Sequence, residues 1–138
     1  MTKFRSKAPL RLGLAGGGSD LDTYCNKYGG YVLNSTISLY VHCTIEVTDD
    51  GFTEFDSLDN GQNFRDKSVE YIAYNGHMDL FKAVYNRVVK DYFKKPMSVK
   101  VTTYSDVPSG SGLGGSSTLV VAILGTLTEW LNLPLGEY

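Results

Sequence analysis

The chain has 138 residues, with 13 Lys and Arg against 15 Asp and Glu and a net charge of −2. That length supports one domain with a real core, and the balanced charge gives no reason to expect nucleic acid or an anionic membrane as a partner. Cys25 and Cys43 form neither a disulfide framework nor a metal cluster. No apolar run approaches membrane-spanning length, and Arg11 and the glycines interrupt any signal-peptide apolar stretch, so a reduced cytoplasmic protein is expected.

In chain order, Leu10 to Ala15 reads as a short strand entering the triple glycine Gly16-Gly17-Gly18, with Ser19, Asp20 and Asp22 behind it. Arg11 is a charge inside this apolar strand. It requires an anionic partner or solvent, because a bare buried charge is costly; the plainest reading is a structural ion pair. Ile37 to Val47 alternates, with Leu39, Val41, Cys43, Ile45 and Val47 on one face and Tyr40, His42, Thr44 and Glu46 on the other. Asp50-Gly51 signals a hairpin with Thr53 to Asp56 as its return strand, and Asp59-Asn60-Gly61 marks another turn. Phe64 to Tyr74 fits no single period. Phe81, Val84, Tyr85, Val88, Val89 and Tyr92 form a helical stripe, with Asn75 as its expected cap, Asp79 in its first turn and Pro96 closing it. His42 and His77 read as structural, since no acidic or serine partner stands at a fixed spacing.

Ser98 to Tyr104 alternates as a half-buried strand, and from Thr118 the residues Leu119, Val120, Ile123, Leu124, Leu127, Trp130 and Leu131 keep helical spacing. Between them stands Pro108-Ser109-Gly110-Ser111-Gly112-Leu113-Gly114-Gly115-Ser116-Ser117. A strand end, a glycine-rich loop and a helix start together make an anion site. Free N–H groups and the helix dipole face the loop, glycine permits close approach, and hydroxyls can meet phosphate oxygens or a metal. Gly110-x-Gly112-x-x-Gly115 matches a dinucleotide fingerprint in form, but no acidic residue stands where a second strand would end. No Gly-Lys-Ser/Thr follows, so the loop is not of the Walker A kind. A functionless turn remains the plain alternative.

Two motifs together carry a resemblance. Pro108-x-x-x-Gly112-Leu113-Gly114 followed by Ser116-Ser117, and Pro9-Leu10-Arg11 followed by Gly16-Gly-Gly-Ser-Asp20, resemble the phosphate loop and the first motif of the GHMP kinases. Ala8-Pro-Leu-Arg-Leu and the segment Tyr24 to His42 are most similar to the sugar-1-kinase branch, which includes kinases of heptose 7-phosphate and of fucose. The resemblance implies an α+β, two-layer sandwich of the ribosomal protein S5 domain 2-like kind, with residues 1–138 as the N-terminal, ATP-binding domain. It implies ATP-dependent phosphorylation of the anomeric hydroxyl of D-glycero-D-manno-heptose 7-phosphate, towards nucleotide-activated heptose. Fucokinase-like activity and a non-catalytic nucleotide- or sugar-binding module are the alternatives.

By the same resemblance, Pro108, Ser109, Gly110, Ser111, Gly112, Leu113, Gly114, Gly115, Ser116 and Ser117 would wrap the ATP triphosphate. Ser116 would hold Mg2+, with Gly115 standing where the family has a further serine and Ser117 as its substitute. Ser19 and Asp20 would bind the sugar, and Arg11 would lie near the transferring phosphoryl group. Tyr24 and Tyr31 are open to sugar stacking, while Lys3, Arg5 and Lys7 are candidates for the sugar's own phosphate by proximity. A catalytic aspartate and a third glycine-rich motif are expected beyond Tyr138, and Leu133 to Tyr138 reads as a loop into another helix, so the chain is expected to be a piece of the enzyme.

Overall fold

The computed structural model describes residues 2–136. Its elements run β1 (Thr2–Ala15), α1 (Asp22–Tyr28), β2 (Leu33–Val47), β3 (Phe52–Ser57), β4 (Gln62–Lys67), α2 (Asp79–Val88), β5 (Val99–Ser105) and α3 (Gly115–Leu131), with a π-helical turn, Val89–Phe93, prolonging α2. The five strands form one sheet in the order β1-β2-β5-β3-β4, antiparallel throughout except for the parallel β3–β5 pair. Helices α2 and α3 complete the expected α+β two-layer sandwich, and the core between the layers is built from Leu10, Val41, Cys43, Ile45, Phe55, Phe81, Val88, Val101, Ile123 and Leu127. A mixed sheet with a single parallel pair leaves no place for a doubly wound dinucleotide-binding half.

Alternation explains the sandwich. Val99, Val101 and Thr103 of β5 are buried while Lys100, Thr102 and Tyr104 are not, so one face of the pleat is apolar. Helix α3 lays Thr118, Ala122, Ile123, Thr126 and Leu127 against β1 and β2. The Ser6 and Thr126 hydroxyls meet at 2.7 Å across that interface, satisfying two polar groups that would be costly to bury alone. Cys43 lies in the same layer, where burial pushes its thiol up to about 11 and the Thr126 hydroxyl only partly offsets it; it is an inert core residue.

The sheet's other face carries a row of alternating charge. Lys3, Glu46, Lys100, Glu54 and Arg65 stand in register across all five strands, with contacts of 2.8 Å for Lys3–Glu46, 2.7 Å for Lys100–Glu54 and 3.6 Å for Arg65–Glu54. The bonded Glu54 carboxylate raises the Lys100 ammonium above its ordinary value.

Two expectations are corrected. Asp50-Gly51 does turn the chain, but β3 does not return beside β2; β5 lies between them. The hairpin partner of β3 is β4, joined through the expected Asp59–Gly61 turn, so Phe64 to Lys67 of the ambiguous Phe64–Tyr74 stretch are strand. Asn75 does not cap α2. Met78, in the left-handed region at φ 52°, occupies the cap position, and the Asp79 carboxylate accepts the N–H groups of Asn75 and Gly76 at 3.2 and 2.9 Å. Desolvation pushes the Asp79 carboxyl up, but those two donors and the Lys82 ammonium outweigh it and hold it below the usual carboxylate range. Helix α1 was not expected from the sequence; it is seven residues long and buries no side chain. Of the closing segment Leu133 to Tyr138, residues 133–136 are irregular, and Glu137 and Tyr138 lie outside the described residues.

Candidate phosphate-binding site

The loop after β5 is built to present backbone. Gly110, Gly112 and Gly114 all have positive φ, at 80°, 74° and 75°, a region that other residues enter only at a cost. Gly114 is the N-cap of α3 and offers no side-chain cap, so the first N–H groups of the helix, on Gly115, Ser116 and Ser117, lack intrahelical partners and point into the loop. Among the described residues, the hydroxyls of Ser109, Ser111, Ser116 and Ser117 make no bond to protein, whereas Thr118 turns back onto the Gly114 carbonyl at 2.8 Å. Free N–H groups, free hydroxyls and the positive end of a helix dipole make a donor set suited to a polyphosphate.

A cavity of about 550 Å³ opens on this loop. It takes in Pro108 to Gly112 and Gly114 to Ser117. Leu113 stands apart: its side chain packs on the core and its carbonyl accepts the Arg11 N–H at 3.0 Å. The far wall comes from the β3–β4 turn (Asp59, Asn60 and Gln62) and the start of α2 (Met78 to Phe81). The sequence reading missed this wall, since the turn and the helix start carry signals of shape and none of chemistry. Lys82 braces it from behind. Its side chain is 1% exposed, with Nζ 2.6 Å from Asn75 Oδ1, 3.6 Å from Asp79 Oδ1 and 5.3 Å above the Phe64 ring.

The first motif lies beside the cavity and does not line it. Arg11 is the link. Its side chain lies across Gly114, where a Cβ would meet Arg11 Cγ and Nε at 3.1 Å. Among the described residues Arg11 makes no ion pair; its Nη1 donates to Asn34 Oδ1 at 3.0 Å. Further out, the turn after β1 folds onto Tyr31. A Cβ on Gly16 would stand 1.8 Å from the Tyr31 carbonyl oxygen, and one on Gly30 would stand 2.0 Å from that of Ser19. The Ser19 hydroxyl donates to the Gly16 and Tyr31 carbonyls at 2.7 and 2.9 Å and accepts the Tyr31 N–H at 3.2 Å. Asp20 is exposed. Exposed apolar residues stand on the segments before and after it, among them Leu14 at 55%, Leu21 at 62%, Tyr24 at 49% and Tyr31 at 92%.

The remaining candidates sit elsewhere. Lys3 is paired with Glu46 and Lys7 lies 4.5 Å over the Tyr40 ring, both on the outer face of the sheet. His42 does have an acidic partner: Nε2 is 3.3 Å from Asp106 Oδ1. Asp106 Oδ2 also accepts the Tyr40 N–H at 2.8 Å, which ties the entrance of the phosphate loop to β2. Only the sheet register brings this pair together, so no spacing rule could find it. His77 Nε2 contacts the Asn63 carbonyl at 2.7 Å.

Residues 70–138 match the family described as the GHMP kinases N terminal domain. A D-glycero-alpha-D-manno-heptose 7-phosphate kinase of Campylobacter jejuni is 59% identical over 138 residues, which is 100% of this chain and 41% of that protein. The crystal structure of a D-glycero-D-manno-heptose 1-phosphate kinase from Bacteroides thetaiotaomicron superposes with a TM-score of 0.91 at 54% identity, over 97% of this chain and 44% of that one. A bifunctional fucokinase/GDP-fucose pyrophosphorylase of Arabidopsis thaliana is more distant, 31% identical over 90% of this chain and 13% of its own length. The chain thus spans less than half the length of the relatives it matches. Among the described residues, no helix is long and apolar enough to cross a membrane.

Proposed function

Because the chain belongs to the GHMP kinase family, we propose that the protein carrying it transfers the terminal phosphoryl group of ATP to the anomeric hydroxyl of a heptose 7-phosphate. The observation that carries this reading is the open donor set of the loop: three left-handed glycines, four free serine hydroxyls and an uncapped helix N-terminus around one cavity. Phosphoryl transfer asks mainly for positioning and charge stabilisation, and this loop supplies both. The N–H groups of Gly115 to Ser117 and the hydroxyls of Ser109 and Ser111 would hold phosphate oxygens. Ser116 would offer its hydroxyl to Mg2+, which when bound would screen the phosphate charge. The guanidinium of Arg11, which has no carboxylate partner among the described residues, would meet the phosphoryl group, and the exposed Asp20 would hold sugar hydroxyls. Ser19 would serve the sugar site by fixing the turn that carries Asp20, since its hydroxyl is bonded to main chain.

The choice of heptose rests on the Campylobacter relative, which matches along the whole chain. The two heptose kinases are named for different heptose phosphates, so the test is ADP release by the full-length protein with MgATP and, in turn, heptose 7-phosphate, heptose 1-phosphate, unphosphorylated heptose and fucose. Turnover with heptose 7-phosphate alone supports the reading. Preference for heptose 1-phosphate or fucose overturns it.

Two substitutions separate the roles. Ser116→Ala is expected to raise the Mg2+ concentration needed for half-maximal turnover about tenfold, the scale of losing one ligand or its support; an unchanged magnesium dependence would remove Ser116 from the metal site. Asp20→Ala is expected to raise the KM for the sugar at least tenfold with the KM for ATP unchanged, as when a charged hydrogen bond to one substrate is lost. Equal changes in both KM values would count against a sugar-specific role.

A further inference from the structure

Asn34 is placed to do something that a carboxylate could not. It stands on β2 opposite Gly13 and holds Arg11 Nη1 at 3.0 Å. On the other side, the arginine stem rests on Gly114, the N-cap of α3, and the Arg11 main chain is bonded to Leu113 at 3.0 Å. The guanidinium is therefore fixed against the start of a helix, where the dipole is already positive. Two positive fields overlap there, and among the described residues no acid neutralises either.

Taken alone, that arrangement is unfavourable. A cation is stabilised at the C-terminal end of a helix and opposed at the N-terminal end, and an arginine usually finds a carboxylate when one can be supplied. An aspartate in place of Asn34 would satisfy the cation with a stronger, charge-assisted bond. The amide orients the guanidinium through one of its five N–H donors and leaves its charge intact. We propose that Asn34 is a positioning residue that aims Arg11 at the terminal phosphate of the bound nucleotide, and that its neutrality keeps this corner selective for the triphosphate over the diphosphate. The proposal rests on the phosphate-loop reading given above, because it takes the anion at this corner to be the end of a nucleotide polyphosphate.

Asn34→Asp is the informative substitution, since it keeps the shape and cancels the charge. In the full-length protein, dissociation constants for β,γ-imido-ATP and for ADP, each with Mg2+, would be measured by titration calorimetry alongside the melting temperature. Asn34→Asp is expected to weaken β,γ-imido-ATP about tenfold or more relative to ADP, with the melting temperature unchanged or raised. Asn34→Ala is expected to produce a smaller loss, about threefold, by letting the guanidinium wander. Both effects should vanish in an Arg11→Ala background, because both act through that side chain.

If Asn34 merely secures a surface arginine, Asn34→Asp will bind both nucleotides as the unaltered protein does, and the proposal falls. It falls equally if the effect persists in full without Arg11. If Arg11→Ala alone leaves the triphosphate preference intact, the assignment of Arg11 to the phosphoryl group has failed and the proposal with it. If Arg11→Ala abolishes that preference and Asn34→Asp does not, only the proposal is overturned.

Discussion

Phe55→Ala is expected to cost about 4 kcal/mol and to leave the domain largely unfolded at 37 °C. The ring is 1% exposed and joins the two layers: its centroid lies 5.3 Å from Phe64 on β4, 5.6 Å from Phe81 and 6.1 Å from Tyr85 on α2. Removing it opens a cavity between three aromatic rings that cannot collapse into it, so the cavity penalty adds to the lost transfer energy. Urea denaturation checks this. The midpoint should fall steeply with the slope unchanged, the signature of lost stability in an otherwise similar transition. Tyr31→Ala, at a side chain 92% exposed, should change the unfolding free energy by no more than about 0.5 kcal/mol. A change for Phe55→Ala within that range would mean that the aromatic cluster is not the centre of the core.

Gly112→Val has the largest effect expected on function, a loss of a hundredfold or more in nucleotide affinity with the fold retained. The position has φ 74°, which a β-branched residue scarcely tolerates, yet no protein atom lies within 4 Å of a Cβ built there. The new Cβ therefore has open space around it; the branched side chain distorts the cradle and extends into space that a phosphate would use. The backbone cost is about 1–2 kcal/mol, which a folded domain can absorb. Titration with ADP and Mg2+, together with a melting curve, reads both quantities. A valine variant that binds ADP as tightly as the unaltered protein would show that the nucleotide lies elsewhere. Gly16 is the contrasting case: its φ is likewise positive, but a Cβ there collides with the Tyr31 carbonyl at 1.8 Å. The same change at Gly16 is thus a structural lesion in the turn after β1.

What could be read beforehand was what local pattern encodes. Alternation placed Val99, Val101 and Thr103 on the buried face of β5. Helical spacing found α2 and α3, and the glycines with their serines marked the loop that carries the candidate phosphate site. Pairing between distant segments was not legible. Asp50-Gly51 looks like a hairpin because turn chemistry is local, but the neighbour of β3 is decided by where Phe55 and Val101 meet in register. The far wall of the cavity, Asp59 to Gln62 with Met78 to Phe81, and the pairs Arg11–Asn34 and His42–Asp106 depend on the same kind of information. Asn75 has the side-chain chemistry of a cap, but the chain uses Asp79 to bind the preceding turn from inside the helix.

The parallel β3–β5 pair also sets an order of events during synthesis. β2 and β3 are finished by Ser57, but they do not touch along the sheet, and the strand that joins them begins only at Val99. Until that strand leaves the ribosome, β2 and β3 each carry an open row of N–H and C=O groups, the kind of edge that invites pairing with other chains. Loop closure over such separations slows folding. A nascent chain halted before Val99 should therefore recruit holdase chaperones, and one released past the end of α3 should let them go.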